Sequence, residues 1–167
     1  MPFRENETKG PSVVHIIGHL DIGGGELFLL NLARALAARG LRQAVFAVSH
    51  SARLAPDFAA QGLPVRVFAK SSKLGLVTIA RMARALRHFR PSVVQTHGEG
   101  GLFWGAPAAA VAGIDIVSLV YQNYRESALK VLAARTALRR SLTVVAGSQD
   151  VHRFCRNTLG VQSARLR

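Results

Sequence analysis

The sequence is poor in cysteine and in acidic residues. Its single cysteine, Cys155, excludes an internal disulfide and is typical of a protein from a reducing compartment. The sequence has nine acidic residues and 22 lysines and arginines, which gives a formal net charge of +13 over 167 residues. Such a charge attracts anions without specifying which, and richness in alanine and arginine also reflects the base composition of a genome. An anionic partner and a plain compositional bias therefore remain equal alternatives.

Long uninterrupted apolar runs are also missing. The most apolar window, residues 102–121, contains Pro107, Gly113 and Asp115, so a helix, a turn and a buried strand explain it better than a membrane span. The first dozen residues, MPFRENETKGPS, have no apolar segment of the kind that a secretory signal needs. We therefore predict a flexible leader over residues 1–12 and one domain over residues 13–167.

Strand-like and helix-like segments alternate along the predicted domain. Short apolar runs predict strands at residues 13–18, 43–49, 63–69, 92–97, 114–120 and 142–147, with a helical segment after each. The strands are apolar along their whole length, which indicates parallel strands buried on both faces. The expected architecture is an α/β, Rossmann-like, doubly wound sheet with helices on both faces. Its ligands bind at the carboxyl ends of the strands, near the point where the strand order reverses.

Three consecutive glycines, Gly23 to Gly25, end the predicted loop after the first strand. Glycines let a phosphate approach the backbone, and the following helix offers free N–H groups and the positive end of its dipole. A tight turn that needs positive φ is the alternative, although three glycines exceed what a turn requires. The loop is not a P-loop, because Glu26 and Leu27 follow it, and it lacks the G-x-G-x-x-G dinucleotide pattern. Arg53 leaves an NADP-binding oxidoreductase as a weaker alternative.

The segments around these glycines resemble a known family. A strand followed by L-D-I-G-G-x-E and L-x-x-L-A-x-x-L-A-x-x-G is similar to the amino-terminal domain of glycosyltransferase family 4. Further segments of that domain are matched, in the same order, by GLPVRVF, RHFRPSVVQTHG, AGIDIVSLVYQN, LTVVAGSQDVHRF and LGVQSARLR. The resemblance covers residues 13–167.

The resemblance implies half of a GT-B fold, in which two Rossmann-like domains face each other across a cleft. Such enzymes move a sugar from a nucleotide-diphosphate donor to an acceptor hydroxyl with retention of configuration, and they normally use no metal or other cofactor. The carboxyl-terminal, donor-binding domain would be absent from this chain, so we expect no transfer without a second domain in cis or in trans. By family, the implied role is polysaccharide or glycolipid synthesis with a carbohydrate or lipid-linked acceptor. The implied location is the cytoplasm, or the inner face of the membrane.

The same resemblance assigns roles to individual residues. Gly23, Gly24 and Gly25 would contact the donor diphosphate, and Gly25 stands where many relatives have a small residue such as alanine. Glu26 is explained by the helix dipole alone. His97 would be catalytic or line the cleft, unless it merely ends a strand, whereas His15 lies inside a strand and is expected to be structural. Acceptor contacts are expected from four residues: Glu99, Tyr121, Asn123 and Tyr124.

Tyr121 departs from the family pattern, since many relatives have a histidine there, close to the transferred sugar. A tyrosine can hydrogen-bond and stack on a sugar ring, but it does not titrate near neutrality. Acceptor contacts are therefore expected to survive at this position, while a role that depends on histidine is not.

Four arginines recur at intervals of three residues, at positions 81, 84, 87 and 90. On a helix this spacing makes a basic stripe. A solvated helix face, an anionic membrane surface and nucleic acid could each explain it, although no nucleic-acid-binding motif accompanies the charge. A non-catalytic binding subunit or a truncated product is the alternative to an enzyme.

Overall fold

The computed structural model describes residues 10–49, 52–69, 75–123 and 127–167. Strands and helices alternate along these residues, as the sequence predicted. The strands are β1 (Ser12–Ile17), β2 (Arg42–Ala47), β3 (Val65–Val67), β4 (Val93–His97), β5 (Ile116–Val120) and β6 (Ser141–Ala146). The helices are α1 (Gly24–Ala37), α2 (Ala55–Ala60), α3 (Leu76–Phe89), α4 (Gly98–Ala112), α5 (Ala128–Leu138) and α6 (Gln149–Asn157), and a short 3-10 helix covers Ser163–Arg165.

The six strands form one parallel sheet in the order β3-β2-β1-β4-β5-β6. The order reverses between β1 and β4, where successive strands run outward in opposite directions. This confirms the predicted doubly wound, Rossmann-like architecture. Loops that follow β1 and β4 consequently meet at the carboxyl edge of the sheet, where such folds bind ligands.

Apolar side chains cover both faces of the sheet. On one face, Leu29 and Phe58, from α1 and α2, pack with Ile17 and Val45. On the other face, residues of α3, α4 and α6 pack with β-strand residues such as Ile16. Burial on both faces explains why inner strands such as β1 are largely apolar, whereas the edge strand β3 is mostly exposed and contains Arg66.

The apolar window at residues 102–121 is divided between α4 and β5, as predicted. Gly113 ends the helix with φ of 74°, and the strand starts three residues later, at Ile116. Across the described ranges, no helix has both the length and the apolar character required to cross a bilayer.

Helix α4 starts three residues before its predicted position, and glycines explain the difference. An added β-carbon at Gly100 would lie 2.6 Å from the Cα of Gly18, and one at Gly101 would collide with the carbonyl oxygen of Ile16. Glycines weaken a helix by propensity alone. Here the glycines let the first turns of α4 lie directly against the end of β1. This packing keeps the start of α4 at the carboxyl edge of the sheet.

Candidate functional site

A cleft of about 430 Å³ opens at the carboxyl edge of the sheet. The loop after β1, the first turns of α1 and α4, and the residues after β5 form its walls. Its lining includes His19, Glu26, His97, Glu99, Trp104 and Tyr121. A second, apolar pocket of about 340 Å³ adjoins it and is lined by Gly24, Phe28, Leu119 and Gly147. Gly25 and Tyr121 line both, so the two form one continuous surface.

The three consecutive glycines are not explained by a tight turn. None of them has positive φ, and Gly23 is extended with φ of −162°. Their surroundings differ instead. An added β-carbon at Gly23 would meet the carboxylate of Glu26, and one at Gly25 would lie 3.3 Å from Cε2 of Tyr121, whereas one at Gly24 would meet no described atom within 4 Å. Gly24 thus presents bare backbone to open space at the first position of α1.

Glu26 occupies part of the amino-terminal end of α1. Its side chain is largely buried, and Oε1 lies 3.2 Å from Nδ1 of His19. A carboxylate in the first turn complements the helix dipole, as predicted. The carboxylate of Glu26 fills the space beside Gly23. The space beside Gly24, at the same end of α1, is open.

Beneath the cleft, polar side chains form a series of hydrogen bonds that we call the hydrogen-bond relay: Gln43, His15, His97 and Tyr121. The hydroxyl of Tyr121 lies 2.6 Å from Nδ1 of His97. Nε2 of His97 lies 3.1 Å from Nδ1 of His15, and Nε2 of His15 lies 2.9 Å from Oε1 of Gln43. His15 and His97 are buried, with exposed fractions of 0% and 1%. His15, predicted to be merely structural, is therefore in direct contact with the candidate residue His97.

Burial controls the protonation of the relay. It lowers the pKa of His15 from 6.5 to about 4, against the opposing effect of hydrogen bonds with Gln43 and Gln95. Burial, and secondarily the charge of His15, holds the pKa of His97 well below its usual range. For Tyr121, burial and then the nearby Glu26 carboxylate raise the pKa. At neutral pH both imidazoles are therefore uncharged and the phenol keeps its proton.

The predicted acceptor residues do not all meet in the cleft. Glu99 and Tyr121 line it, and Glu99 also pairs with Lys130 at 3.3 Å. Asn123 instead donates from Nδ2 to Oδ2 of Asp150 at 2.8 Å, and it is not among the described residues that line the cleft. Tyr124 lies outside the described residues.

Two aromatic side chains of the site were not predicted from the sequence. Trp104 of α4 lines the cleft, and Phe28 of α1 packs edge-on against Tyr121 at 5.7 Å between ring centres. In the sequence, both residues are ordinary members of apolar segments with helical periodicity. The signal that could have found them is position, since each lies within two turns of the start of a helix that follows a central strand.

Comparison with protein families gives a match to the model of Glycosyltransferase Family 4 over residues 22–167. Among curated proteins no significant match is found.

Solved structures resemble the fold at low sequence identity. HepE from Anabaena, in complex with UDP and glucose, superposes with a TM-score of 0.79 at 18% identity, covering 95% of this chain and 43% of HepE. The lipopolysaccharide outer core galactosyltransferase WaaB gives a TM-score of 0.71 at 12% identity, covering 93% of this chain and 44% of WaaB. A UDP-N-acetylglucosamine 2-epimerase from Rickettsia bellii gives 0.66 at 14% identity, covering 93% and 43%. The chain thus spans less than half the length of these proteins.

Proposed function

The chain belongs to glycosyltransferase family 4, and we propose that it forms the acceptor-side wall of a nucleotide-sugar cleft in a retaining glycosyltransferase. A nucleotide-diphosphate sugar is the proposed donor, and a carbohydrate or lipid-linked acceptor in polysaccharide or glycolipid synthesis receives the sugar. The uncovered backbone at Gly24, at the positive end of α1 and beside the cleft, is the observation that carries this proposal.

Gly24 suits a diphosphate for steric and electrostatic reasons. Apart from its chain neighbours and the backbone of α1, no described atom lies within 4 Å of the place of a β-carbon at Gly24, which leaves room for an anion beside the first turn. The N–H groups of that turn have no partner within the helix, and the dipole adds a favourable potential. Donors fixed in this way would stabilise the negative charge that develops on the leaving diphosphate. HepE, which shares the fold, was solved with UDP and glucose.

Other residues of the cleft suit a sugar. Trp104 and Tyr121 provide aromatic faces, while Glu99 and the hydroxyl of Tyr121 provide hydrogen-bonding groups. A nucleotide sugar also needs a second wall to exclude water and to fix donor against acceptor. We therefore expect the 167-residue chain to bind without transferring and to need a second domain, in cis or in trans. Reproducible transfer by the chain alone, with a panel of nucleotide sugars and acceptors, would contradict this expectation.

The donor site is tested by NMR titration of the chain with UDP-glucose, which measures even millimolar affinities. We expect chemical-shift changes around Gly24 with or without a chelator, because no metal is expected to take part. In Gly24→Val the affinity should fall about tenfold or more, as expected for losing a hydrogen bond to a charged group. Folding should survive, because valine costs a helix no more than glycine does.

A matched control is Gly10→Val. Gly10 is exposed, and an added β-carbon there would also meet no described atom within 4 Å, yet it lies outside the cleft. Its variant should bind UDP-glucose like the unaltered chain. Equal affinity of Gly24→Val and Gly10→Val would remove the basis of the donor-phosphate proposal.

The surface of α3 supports an additional contact with an anionic membrane, where a lipid-linked acceptor would lie. Leu76 and Val77 are exposed at its first turn, by 64% and 47%, and Arg81 and Arg84 follow on the exposed side. Apolar side chains next to cations are suited to the boundary between lipid headgroups and acyl chains. The predicted stripe is shorter than expected, because Arg90 lies just past the helix with φ of 51°, and Arg87 donates to the carbonyl of Val111.

A further inference from the structure

The hydrogen-bond relay crosses four neighbouring strands on one face of the sheet. Gln43 lies on β2, His15 on β1 and His97 on β4, and Tyr121 directly follows β5. In the strand register, Gln43 of β2 is opposite Val13 of β1, and His97 of β4 is opposite Ile17 of β1. Val13 and Ile17 each lie two residues from His15 along β1. Residues two apart on a strand project to the same face, which brings these side chains together along a diagonal.

The direction of the relay is set at its far end, at the carbonyl of Ala33 in α1. A carbonyl can only accept, so Nε2 of Gln43, 2.9 Å away, must donate to it. The amide oxygen of Gln43 therefore faces His15, at 2.9 Å from Nε2. Since that oxygen can only accept, Nε2 of His15 carries a proton and donates it.

The next two hydrogen bonds follow from the first two. A neutral imidazole has one N–H, so Nδ1 of His15 is an acceptor, and the neighbouring Nε2 of His97, at 3.1 Å, must donate. Nδ1 of His97 is then an acceptor as well. The hydroxyl of Tyr121, 2.6 Å away, must donate to it.

We propose that the relay makes Tyr121 a specificity-determining residue, whose hydroxyl donates only inward and therefore offers only lone pairs to the cleft. An isolated tyrosine rotates its hydroxyl and can donate or accept. Here the proton is committed to His97, so Tyr121 recognises ligand groups that carry O–H or N–H donors, such as a sugar hydroxyl. This specificity role rests on the proposed nucleotide-sugar site, whereas the direction of the relay does not.

The direction is tested without any ligand, on the ¹⁵N-labelled chain at neutral pH. Long-range ¹H–¹⁵N correlation of the imidazole rings distinguishes the two neutral tautomers. We expect the Nε2–H form for both His15 and His97. The Nδ1–H form, or a cationic ring, at either position would overturn the proposal.

A pair of glutamine variants tests whether the Ala33 carbonyl is the origin of the direction. Gln43→Met removes the amide that joins Ala33 to His15, so both histidines should become mixtures of tautomers. Gln95→Met, a change of the same size on β4, should leave the Nε2–H forms intact. Identical imidazole spectra in the two variants would contradict an origin at Ala33.

The specificity role is tested with UDP-glucose and its deoxyfluoro analogues, in which fluorine replaces one hydroxyl and cannot donate. We expect one analogue to bind the chain about fivefold to tenfold more weakly than UDP-glucose, the effect of one hydrogen bond. Tyr121→Phe should lose this discrimination while keeping the ring. Unchanged discrimination in Tyr121→Phe would overturn the specificity role. If UDP-glucose does not bind at all, the proposed function fails and the specificity role with it, while the tautomers still decide the direction of the relay.

Discussion

Two histidine rings buried side by side tie the stability of the fold to pH. Burial lowers the pKa of His15 from 6.5 to about 4 and shifts that of His97 in the same direction. The folded state therefore binds fewer protons than the unfolded state between about pH 6.5 and pH 4. Stability is fully present above this window and decreases as the pH falls through it.

For His15 alone we expect a loss of about 3 kcal/mol in the free energy of unfolding across this window, at about 1.4 kcal/mol for each pH unit. Urea denaturation at several pH values between about 7 and 4.5 measures it. His15→Gln should reduce the pH dependence, and His88→Gln, which alters an exposed histidine of α3, is the control substitution. An equal pH dependence of the unaltered chain and His15→Gln would show that the buried ring is not responsible.

At the same scale, the sequence predicted part of the site. It placed the glycines and His97 at the carboxyl edge of the sheet, because their positions after β1 and on β4 follow from the order of elements, while their roles stay predictions. It did not separate Gly24 from its neighbours, since only the positions of Glu26 and Tyr121 show which glycine faces open space. Nor did it pair His97 with His15, because 82 residues separate them and strand register decides the contact.

Among the elements, α4 depends most on the absence of side chains. Gly101 packs against the backbone of β1, where a β-carbon would collide with the carbonyl oxygen of Ile16. Backbone atoms inside a sheet cannot move aside as a flexible side chain can. The contact of α4 with β1 therefore limits what residue 101 can be.

We expect Gly101→Ala to lower the free energy of unfolding by about 1–3 kcal/mol, the usual cost of overpacking, although alanine favours a helix by about 1 kcal/mol. Thermal and urea denaturation would measure the change. Gly10→Ala adds the same methyl group in open space and should leave stability unaltered. If both variants unfold alike, the close approach of α4 to β1 is not a constraint.

The same glycines limited the prediction of elements. Strands were predicted to within a few residues because burial makes the inner strands largely apolar. The start of α4 was predicted three residues too late, because Gly98, Gly100 and Gly101 disfavour a helix by local propensity. Only tertiary packing overrides that preference. Local propensity contains no information about a neighbouring backbone.

For the molecule as a whole, the net charge of +13 acts together with the exposed side of α3. We expect the chain to sediment with vesicles that contain phosphatidylglycerol and to stay in solution with pure phosphatidylcholine, and added salt should weaken binding. Arg81→Gln with Arg84→Gln should reduce the bound fraction. Arg153→Gln with Arg156→Gln on α6 removes the same charge elsewhere and tests whether location matters. Equal losses in the two double variants would indicate a general charge effect and not a docking surface.

The doubly wound architecture could be expected from alternation, since parallel strands with helical crossovers permit few arrangements, although alternation does not fix the strand order. The size and depth of the cleft could not be predicted from the sequence. They depend on how the loop after β1, α4 and the residues after β5 pack together. The ring of Tyr121 shows this dependence, because it fills the space that a β-carbon would need at Gly25 of α1 and at Gly98 of α4.

That ring has a consequence for how the sequence can change over time. A β-carbon at Gly25 or at Gly98 would lie 3.3 Å from a ring carbon of Tyr121. Gly25 stands where many relatives have a small residue such as alanine, and Tyr121 stands where many have histidine. The two positions therefore meet in space, and the smaller residue makes room for the larger ring. The residues at positions 25 and 121 should therefore change together in evolution. In related sequences, a side chain at position 25 should accompany a smaller ring at position 121.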